Sequence, residues 1–271
     1  MAEKHLGPAP CDFAWIALGS LGRGEQLIVT DQDHALVYES EQGRDYFKQL
    51  ALAVSATMQE LGFEEDHFGV SATSDLWRGT PKEWTARLDS WMRDGEGDAL
   101  LRLSIVQDAR VIAGNLHTAL PAFNHLYRRL HEEQALLQSM AKDALRNQSP
   151  LGIFKRFKLE KSGQFDLKLR AILPFIDASK VLAALAGKSH LSSTLGRLEA
   201  IKDASNEELI TSAVHSYEIL LDLRVKFALA NGDSGRYINP DSLDALDKQL
   251  LRNVLKTVEA LQDHMKLKFK L

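Results

Sequence analysis

The stretch from residue 13 to residue 38 constrains the fold of this chain more than any other part of the sequence. An apolar run, Phe13 to Leu18, ends in Gly19-Ser20 and is followed by a Gly-rich turn. A second apolar run covers Ala35 to Tyr38. Short apolar runs bounded by turn residues are typical of buried strands, and the residues after Gly19 have room for one short helix. The stretch therefore predicts a strand, a short helix and a second strand.

Two acidic residues, Asp31 and Asp33, stand at the entrance to the second apolar run. Side chains two residues apart share one face of a strand, so we expect the two carboxylates side by side. Carboxylates held that close repel each other unless a cation lies between them. Mg²⁺ or Mn²⁺ suits such oxygen ligands, and Mg²⁺ usually takes one or two carboxylates together with substrate phosphates. The pair therefore predicts a divalent metal site.

Gly19 and Ser20 lie where the first strand meets the short helix. Backbone N–H groups at such a position, with no bulky side chain in the way, can hold a phosphate. Arg23 follows one helical turn later, and its planar guanidinium can reach the same phosphate. Pairing of Arg23 with Glu25 or Asp31 is the alternative. Taken singly, Gly-Ser and Asp-x-Asp also mark ordinary turns, so the prediction depends on their combination.

The combination of Gly-Ser, a helix and Asp-x-Asp resembles the signature of the polymerase-beta-like nucleotidyltransferases. The fuller motif, Gly19 to Glu25 with Thr30 to Asp33, resembles the branch that contains the uridylyltransferase of the PII protein, and more narrowly the bacterial DUF294 nucleotidyltransferases. Further similar pieces are Phe165 to Lys168, Thr194 to Leu198 and Leu223-Arg224. The resemblance covers nearly the whole chain, and its N-terminal part is the more specific.

This resemblance implies an α+β fold, in which a polymerase-beta-like domain with a small mixed sheet precedes a mainly α-helical bundle. It implies transfer of a nucleoside monophosphate from ATP, UTP or another nucleoside triphosphate to an acceptor protein or small molecule, in signal transduction. It implies that Asp31 and Asp33 bind the metal and are catalytic residues. In longer relatives, CBS and cyclic-nucleotide-binding sensor domains often come first. Triphosphate binding is assigned to four residues of the motif: Gly19, Ser20, Arg23 and Thr30.

Asp108 is the candidate for a third catalytic carboxylate, which many polymerase-beta-like enzymes supply from a later strand. It lies in the apolar segment Ala99 to Ile112. This segment is compatible with one continuous helix and with a helix followed by a strand. The alternative role for Asp108 is a plain ion pair with Arg110 or another neighbour.

The segment Leu151 to Leu173 predicts a β-hairpin around the turn sequence Lys161-Ser162-Gly163. Asp166 and Lys168 alternate with apolar residues in its second arm, so both are expected on one face. We expect Lys168 at the wall of a cleft between two domains, where it contacts the triphosphate or the acceptor. The alternative is a solvated charged hairpin. The segment carries further basic residues: Lys155, Arg156, Lys158, Lys161 and Arg170.

Up to about residue 115 the sequence has the pattern of short strands and turns. After it, apolar residues recur at the spacing of long amphipathic helices. We therefore predict a nucleotidyltransferase domain over residues 1–115 and a helical substrate-binding domain over residues 116–271. Residues 116–147 are compatible with one long helix or two shorter ones. An apolar stripe predicts the buried face of the last helix: Leu243, Leu246, Leu250, Val254, Val258, Leu261 and Met265.

Several helix boundaries are marked in the sequence. Residues 41–61 have the apolar spacing of a helix, and Phe63 to Ala72 is the natural place for another strand. Thr80-Pro81-Lys82-Glu83 predicts a capping box that starts a helix with Trp84 and Trp91 in the core. Ser205-Asn206-Glu207-Glu208 predicts a second capping box.

The composition limits the compartment and the partners. The chain has 271 residues and a net charge of −4, which argues against a polyanion-binding surface, so nucleic acid is not an expected partner. Cys11 is the only cysteine, so no intrachain disulfide can form and a reducing compartment is compatible. No apolar stretch approaches the roughly 20 residues that span a bilayer, and the start lacks a signal-peptide core. We expect a cytoplasmic protein with no membrane partner.

Two function classes fit these residues. The first is an enzyme, and the second is a regulatory module that senses a nucleotide on the same fold without catalysis. Intact Gly19-Ser20, Asp31 and Asp33 favour the enzyme, whereas the undecided third carboxylate leaves the sensing module open. The first core strand lies near the start of the chain, so we expect either an excised catalytic half or a naturally short version without sensor domains.

Overall fold

The computed structural model describes residues 6–27, 31–65, 69–146 and 157–271. The chain divides into two compact units. The first comprises Met1–Glu132 with His190–Ser193, and the second comprises Glu133–Ser189 with Thr194–Leu271.

The first unit is built from a small sheet and four longer helices. Its elements are β1 (Phe13–Ala17), α1 (Gly19–Arg23), β2 (Asp31–Gln32), β3 (His34–Tyr38), α2 (Arg44–Glu60), β4 (Glu64–Glu65), β5 (Arg78–Gly79), α3 (Pro81–Asp94), α4 (Gly97–Val106), β6 (Arg110–Gly114) and α5 (Leu116–Glu132). The predicted strand, short helix and strand over residues 13–38 are confirmed. The helix predicted over residues 41–61 is also confirmed, as a short 3-10 turn followed by α2.

Strand β1 lies inside a mixed four-stranded sheet of order β5-β3-β1-β6. It is antiparallel to both β3 and β6, and β3 is parallel to β5. A separate parallel pair joins β2 to β4. The buried side chains of β1 and β3 pack against α2 in one core cluster: Trp15, Leu36, Tyr38, Phe47, Leu50, Ala51 and Ala72. Burial of these apolar groups is what holds the sheet on the helix.

The strand predicted over Phe63 to Ala72 is largely absent from the described part of that segment. Only β4 is extended there, and residues 71–77 form turns and bends before β5. The undecided segment Ala99 to Ile112 consists of a helix, α4, followed by a strand, β6. Asp108 lies in the turn between them.

Helix α3 begins as its sequence predicts. The Thr80 hydroxyl accepts a hydrogen bond from the Glu83 N–H at 3.3 Å, and the Glu83 carboxylate accepts from the Thr80 N–H at 2.8 Å. This reciprocal capping box satisfies two N–H groups at the start of the helix. Trp84 and Trp91 are buried and contact Trp77 in an aromatic cluster, so the predicted core role of both is confirmed.

Helix α5 packs against β1 and α3. It therefore belongs to the first compact unit, whereas the sequence places residues 116–132 in the second domain. The division between the units follows Glu132, and the domain boundary after residue 115 stays a prediction. The second helix of the segment predicted as one or two helices begins at Gln134.

The second unit is a helical bundle, as predicted. Its helices are α6 (Gln134–Ala144), α7 (Leu173–Leu185), α8 (Thr194–Ala200), α9 (Glu207–Asn231) and α10 (Ala245–Phe269), and a short π-helical turn covers Lys168–Ile172. Two short strands, β7 (Phe165–Asp166) and β8 (Tyr237–Ile238), pair antiparallel.

Two details of the bundle differ from the sequence-based expectation. Asn206 precedes α9, but its side chain does not cap that helix; the amide oxygen accepts from the Asp203 N–H at 2.8 Å. The predicted second capping box is therefore wrong. Leu246 is 68% exposed because it lies in the first turn of α10, and Leu251 is buried instead. The rest of the predicted stripe, apart from partly exposed Leu250, is buried.

No helix in the described ranges combines the length and the apolar character that crossing a membrane requires.

Candidate functional site

The Gly-Ser turn and the acidic motif meet at the junction of β1 and α1. The Leu18 N–H donates to the Asp33 carbonyl oxygen at 2.9 Å, which ties the end of β1 to the start of β3. Gly19 has a φ of +52°, a conformation that glycine adopts without steric cost. A Cβ atom on Gly19 would lie 2.0 Å from Oδ2 of Asp33. The Asp33 carboxylate is therefore packed directly against the backbone of the Gly-Ser turn.

Asp31 lies in the short strand β2, whereas Asp33 lies between β2 and β3, so the two residues do not share one strand. Asp31 pairs with Glu64 in the β2–β4 ladder, while the chain leaves regular structure at Asp33 and then enters β3. The single-strand premise for their shared face is therefore wrong. Both residues are partly buried, at the edge of the core. Their roles as metal ligands stay a prediction.

Arg23, the predicted phosphate contact, is bound by two carboxylates. Its Nε donates to Oε2 of Glu25 at 2.8 Å, and its Nη1 lies 2.5 Å from Oδ2 of Asp108. The Asp108 side chain is 1% exposed and that of Arg23 is 10% exposed. The alternative role given above for Arg23, a pair with Glu25, is thus present. Asp108 also forms an ion pair, but its partner is Arg23 and not Arg110. The guanidinium links the end of α1 to the turn before β6.

Arg110 reinforces the same link from the first residue of β6. Its Nε donates to the Gly22 carbonyl at 3.0 Å, and its Nη2 donates to the Leu21 carbonyl at 2.8 Å. These carbonyls belong to the last turn of α1, which a cation stabilises. Gly22 also lies so close to the Asp108 carbonyl that a Cβ would be 2.1 Å from it. Together these contacts fix α1, and with it the Gly-Ser turn, to the sheet.

The segment Asp108-Ala109-Arg110 stands out in the sequence, but its sequence does not predict that it holds α1. The partners lie 85 and 88 residues away in the chain, and no local pattern encodes such a pairing. The available signal was the short segment itself, because a charged residue beside an apolar helix, such as Asp108, needs a partner when it is buried.

His34 follows Asp33 and lies inside the core against Trp15, with ring centroids 5.1 Å apart. Burial lowers the pKa of His34 to about 4, so the ring is neutral at physiological pH. Its Nδ1 accepts from the Ala72 N–H at 3.1 Å, which places the proton on Nε2. His34 is directed at the segment before β5 and is not a ligand candidate.

The residues at the junction fit a divalent cation by their chemistry. They offer carboxylate oxygens, the donors that Mg²⁺ prefers, and the missing side chain of Gly19 lets Asp33 Oδ2 approach the Gly-Ser turn. Across residues 6–27, 31–65, 69–146 and 157–271, no three His, Cys, Asp or Glu side chains form a group that could hold a metal. The remaining ligands would come from the phosphates. Asp108 as a third carboxylate stays a prediction.

Two further predicted triphosphate contacts are not part of the geometry described so far. Thr30 falls outside the described residues, as do Lys155 and Arg156 of the predicted hairpin. Lys168 is in the second unit, where it begins the π-helical turn rather than extending a strand. Asp166 accepts from the Leu169 N–H at 2.8 Å and so turns the chain into that helix. The predicted alternation of Asp166 and Lys168 along one strand is therefore wrong.

The family of the chain follows from two matching family models. Residues 1–98 match DUF294, described as a putative nucleotidyltransferase. Residues 134–269, half of the chain, match the putative nucleotidyltransferase substrate binding domain of the same family. The chain belongs to the DUF294 family. This confirms the family predicted from the sequence motifs, and the small mixed sheet followed by a helical bundle confirms the α+β fold.

A search among curated proteins finds no match to this DUF294 sequence. The family descriptions name nucleotidyl transfer as the reaction class and assign substrate binding to the C-terminal region. The Gly-Ser turn, Asp31, Asp33 and the Arg23–Asp108 pair all lie in the N-terminal unit, where they form the candidate active site.

Proposed function

We propose that this chain transfers a nucleoside monophosphate from a nucleoside triphosphate to an acceptor, with Asp31 and Asp33 as the ligands of Mg²⁺ or Mn²⁺. The observation that carries the proposal is the contact between the Asp33 carboxylate and the Gly19 backbone. It brings together the Gly-Ser turn, which this proposal assigns to the phosphates, and the Asp33 carboxylate, which it assigns to the metal. Nucleotidyl transfer needs both, because attack at the α-phosphorus expels pyrophosphate and concentrates negative charge at the phosphates.

The residues of the turn have distinct tasks in this proposal. Gly19 and Ser20 bind the β- and γ-phosphates through backbone N–H groups and the Ser20 hydroxyl, and Thr30 contributes from the start of the acidic motif. A bound divalent cation neutralises charge on the phosphates. Arg23 has both carboxylate partners within hydrogen-bond distance, so its main task is to hold α1 in place. A direct contact of Arg23 with phosphate is a smaller part of the proposal.

The acceptor side belongs to the helical unit, whose family description is substrate binding. We assign the acceptor to a protein side chain or a small molecule, and we keep Lys168 as a cation that contacts the triphosphate or the acceptor. We further propose that the protein acts in the cytoplasm and takes part in signal transduction. In longer relatives, we expect sensor domains to precede the transferase domain.

The test measures release of pyrophosphate from ATP, UTP, GTP and CTP in the presence of Mg²⁺ and of candidate acceptors. Asp31→Asn and Asp33→Asn each remove one carboxylate charge at nearly constant volume, and we expect either variant to abolish release. Asp94→Asn is the matched control, because Asp94 is exposed at the end of α3 in the same unit.

The outcomes separate the two function classes. Full activity of the Asp31→Asn/Asp33→Asn double variant would contradict the proposed metal site. Mg²⁺-dependent triphosphate binding by the wild type, without pyrophosphate release under any condition, would identify the nucleotide-sensing module instead.

A further inference from the structure

The segment Gly69–Trp77, called the β5-entry loop here, is hydrogen-bonded to His34, the residue that follows Asp33. The His34 backbone N–H donates to the Val70 carbonyl at 3.1 Å, and the His34 side chain accepts from the Ala72 N–H at 3.1 Å. One residue therefore holds the loop through both its backbone and its ring. Within the described residues the buried Nε2 of His34 has no hydrogen-bond partner, so the ring bonds only through Nδ1.

Arg78 holds the same loop from its other end. Its Nη1 donates to the Ala72 carbonyl at 2.6 Å and to the Thr73 carbonyl at 3.0 Å, and the side chain is 2% exposed. The Leu36 N–H adds a bond to the Trp77 carbonyl at 2.9 Å. Ala72 is thus bound on its N–H by His34 and on its carbonyl by Arg78. A buried N–H left without a partner is destabilising, so the arrangement is tightly specified.

We propose that His34 is a positioning residue for Asp33, and that it acts by anchoring the chain after Asp33 to the β5-entry loop. The inference rests on the proposed function. Asp33 has two backbone anchors: its own carbonyl accepts from Leu18, and its neighbour His34 is bound to the loop. Replacing the ring removes its bond to Ala72 and leaves the backbone bond to Val70. The peptide after Asp33 is then held less firmly, and the carboxylate moves relative to Gly19.

Three substitutions at one position separate this role from simple core packing. His34→Asn keeps an acceptor oxygen near the place of Nδ1, because the Asn side chain reaches as far as that ring atom. His34→Gln moves the acceptor further along the side chain, toward the place of Nε2. His34→Leu removes the acceptor and keeps an apolar group in the core.

Tyr38→Phe is the matched control on the same strand. Tyr38 is fully buried at the far end of β3, and its hydroxyl has no hydrogen-bond partner among the described residues. The substitution changes a buried polar side chain of β3 without touching the anchor.

Two measurements test the bond between His34 and the β5-entry loop, one on the loop itself and one on catalysis. Hydrogen exchange of a peptide that covers residues 69–77 reports the loop directly, without substrate. We expect faster exchange in His34→Leu and His34→Gln, and exchange at the wild-type rate in His34→Asn. The kcat for pyrophosphate release should fall on the order of 10²-fold in the first two variants, as expected for a catalytic group displaced by about 1 Å, with KM little changed. His34→Asn should restore kcat, and Tyr38→Phe should change neither quantity.

The inference is overturned if His34→Leu retains wild-type kcat or wild-type exchange, or if His34→Asn is no better than His34→Leu. If the wild type releases no pyrophosphate, the proposed function is contradicted but this inference is not. The affinity of the same variants for Mn²⁺ then replaces kcat as the measure of how Asp33 is positioned. In that case the same order of variants supports the inference. Equal affinities, or no Mn²⁺ binding by the wild type, overturn it.

Discussion

The Asp33 carboxylate occupies the place where a side chain of Gly19 would be, since a Cβ on Gly19 would lie 2.0 Å from its Oδ2. Only glycine allows this approach, and the φ of +52° disfavours other residues independently. The acidic motif and the Gly-Ser turn thus depend on a single missing methyl group for their contact.

Gly19→Ala is therefore expected to abolish pyrophosphate release, because the new methyl group must displace the Asp33 carboxylate. Gly24→Ala is the control, since Gly24 also has a positive φ, +72°, but has no atom within 4 Å of the added Cβ among the described residues. Both variants carry a backbone cost of about 1–2 kcal/mol. Steady-state kinetics separates them. Equal activity of the two alanine variants would show that the contact with Asp33 does not matter.

Removing Arg23 from its buried pair with Asp108 should destabilise the first unit strongly. Arg23→Ala leaves a buried carboxylate without this partner, and removing one member of a buried ion pair costs about 3–5 kcal/mol. The control is Arg128→Ala, whose pair with Glu132 is more than half exposed and is worth about 0–1 kcal/mol. All four tryptophans lie in the first unit, so urea denaturation followed by tryptophan fluorescence reports it selectively. A loss below 1 kcal/mol in Arg23→Ala would contradict this assignment.

The capping box of α3 gives a second stability prediction. Thr80→Ala removes the hydroxyl that accepts from the Glu83 N–H and should destabilise the first unit by about 1 kcal/mol. Thr85→Ala in the same helix removes a mid-helix threonine and should be neutral or slightly stabilising, because alanine has the highest helix propensity. The same urea titration measures both. If the two variants shift the midpoint alike, the cap contributes nothing beyond propensity.

Lys168 remains the predicted cation of the helical unit. Lys168→Ala should raise the KM for the triphosphate or the acceptor far more than Lys266→Ala does, because an exposed lysine contributes little. Lys266 is a suitable match, since it lies near the C-terminus with an exposed partner, Asp263. Initial rates at varied concentrations of each substrate distinguish the two. Identical kinetics of both variants would remove Lys168 from the site.

The sequence predicted the elements that local chemistry determines. Helices with continuous apolar stripes, such as α3 and α10, were found because a 3.6-residue repeat is encoded within a single segment. The capping box at Thr80 was found for the same reason. The family motif at Gly19 and Asp33 predicts the location of the candidate site, and that location stays a prediction.

Other features were not predictable in the same way, because competing local hydrogen bonds or distant partners decide them. The alternating segment around Asp166 resembles a strand, but the Asp166 carboxylate accepts from the Leu169 N–H and starts a helical turn. At Asn206, a bond with the Asp203 N–H competes with capping of α9. The pairing of Arg23 with Asp108 joins positions 85 residues apart, and only the fold decides it.

The place of β1 between β3 and β6 has a consequence for synthesis of the protein. β1 and β3 lie close in sequence and can pair early, but the other edge of β1 waits for β6 (Arg110–Gly114). Until Arg110 has left the ribosome, the last carbonyls of α1 lack their guanidinium partner and Arg23 lacks Asp108. A nascent chain therefore carries its Gly-Ser turn and acidic motif for some 80 residues of translation before Asp108 and Arg110 can fix α1 to the sheet, and a premature stop before β6 yields a chain in which α1 lacks these contacts.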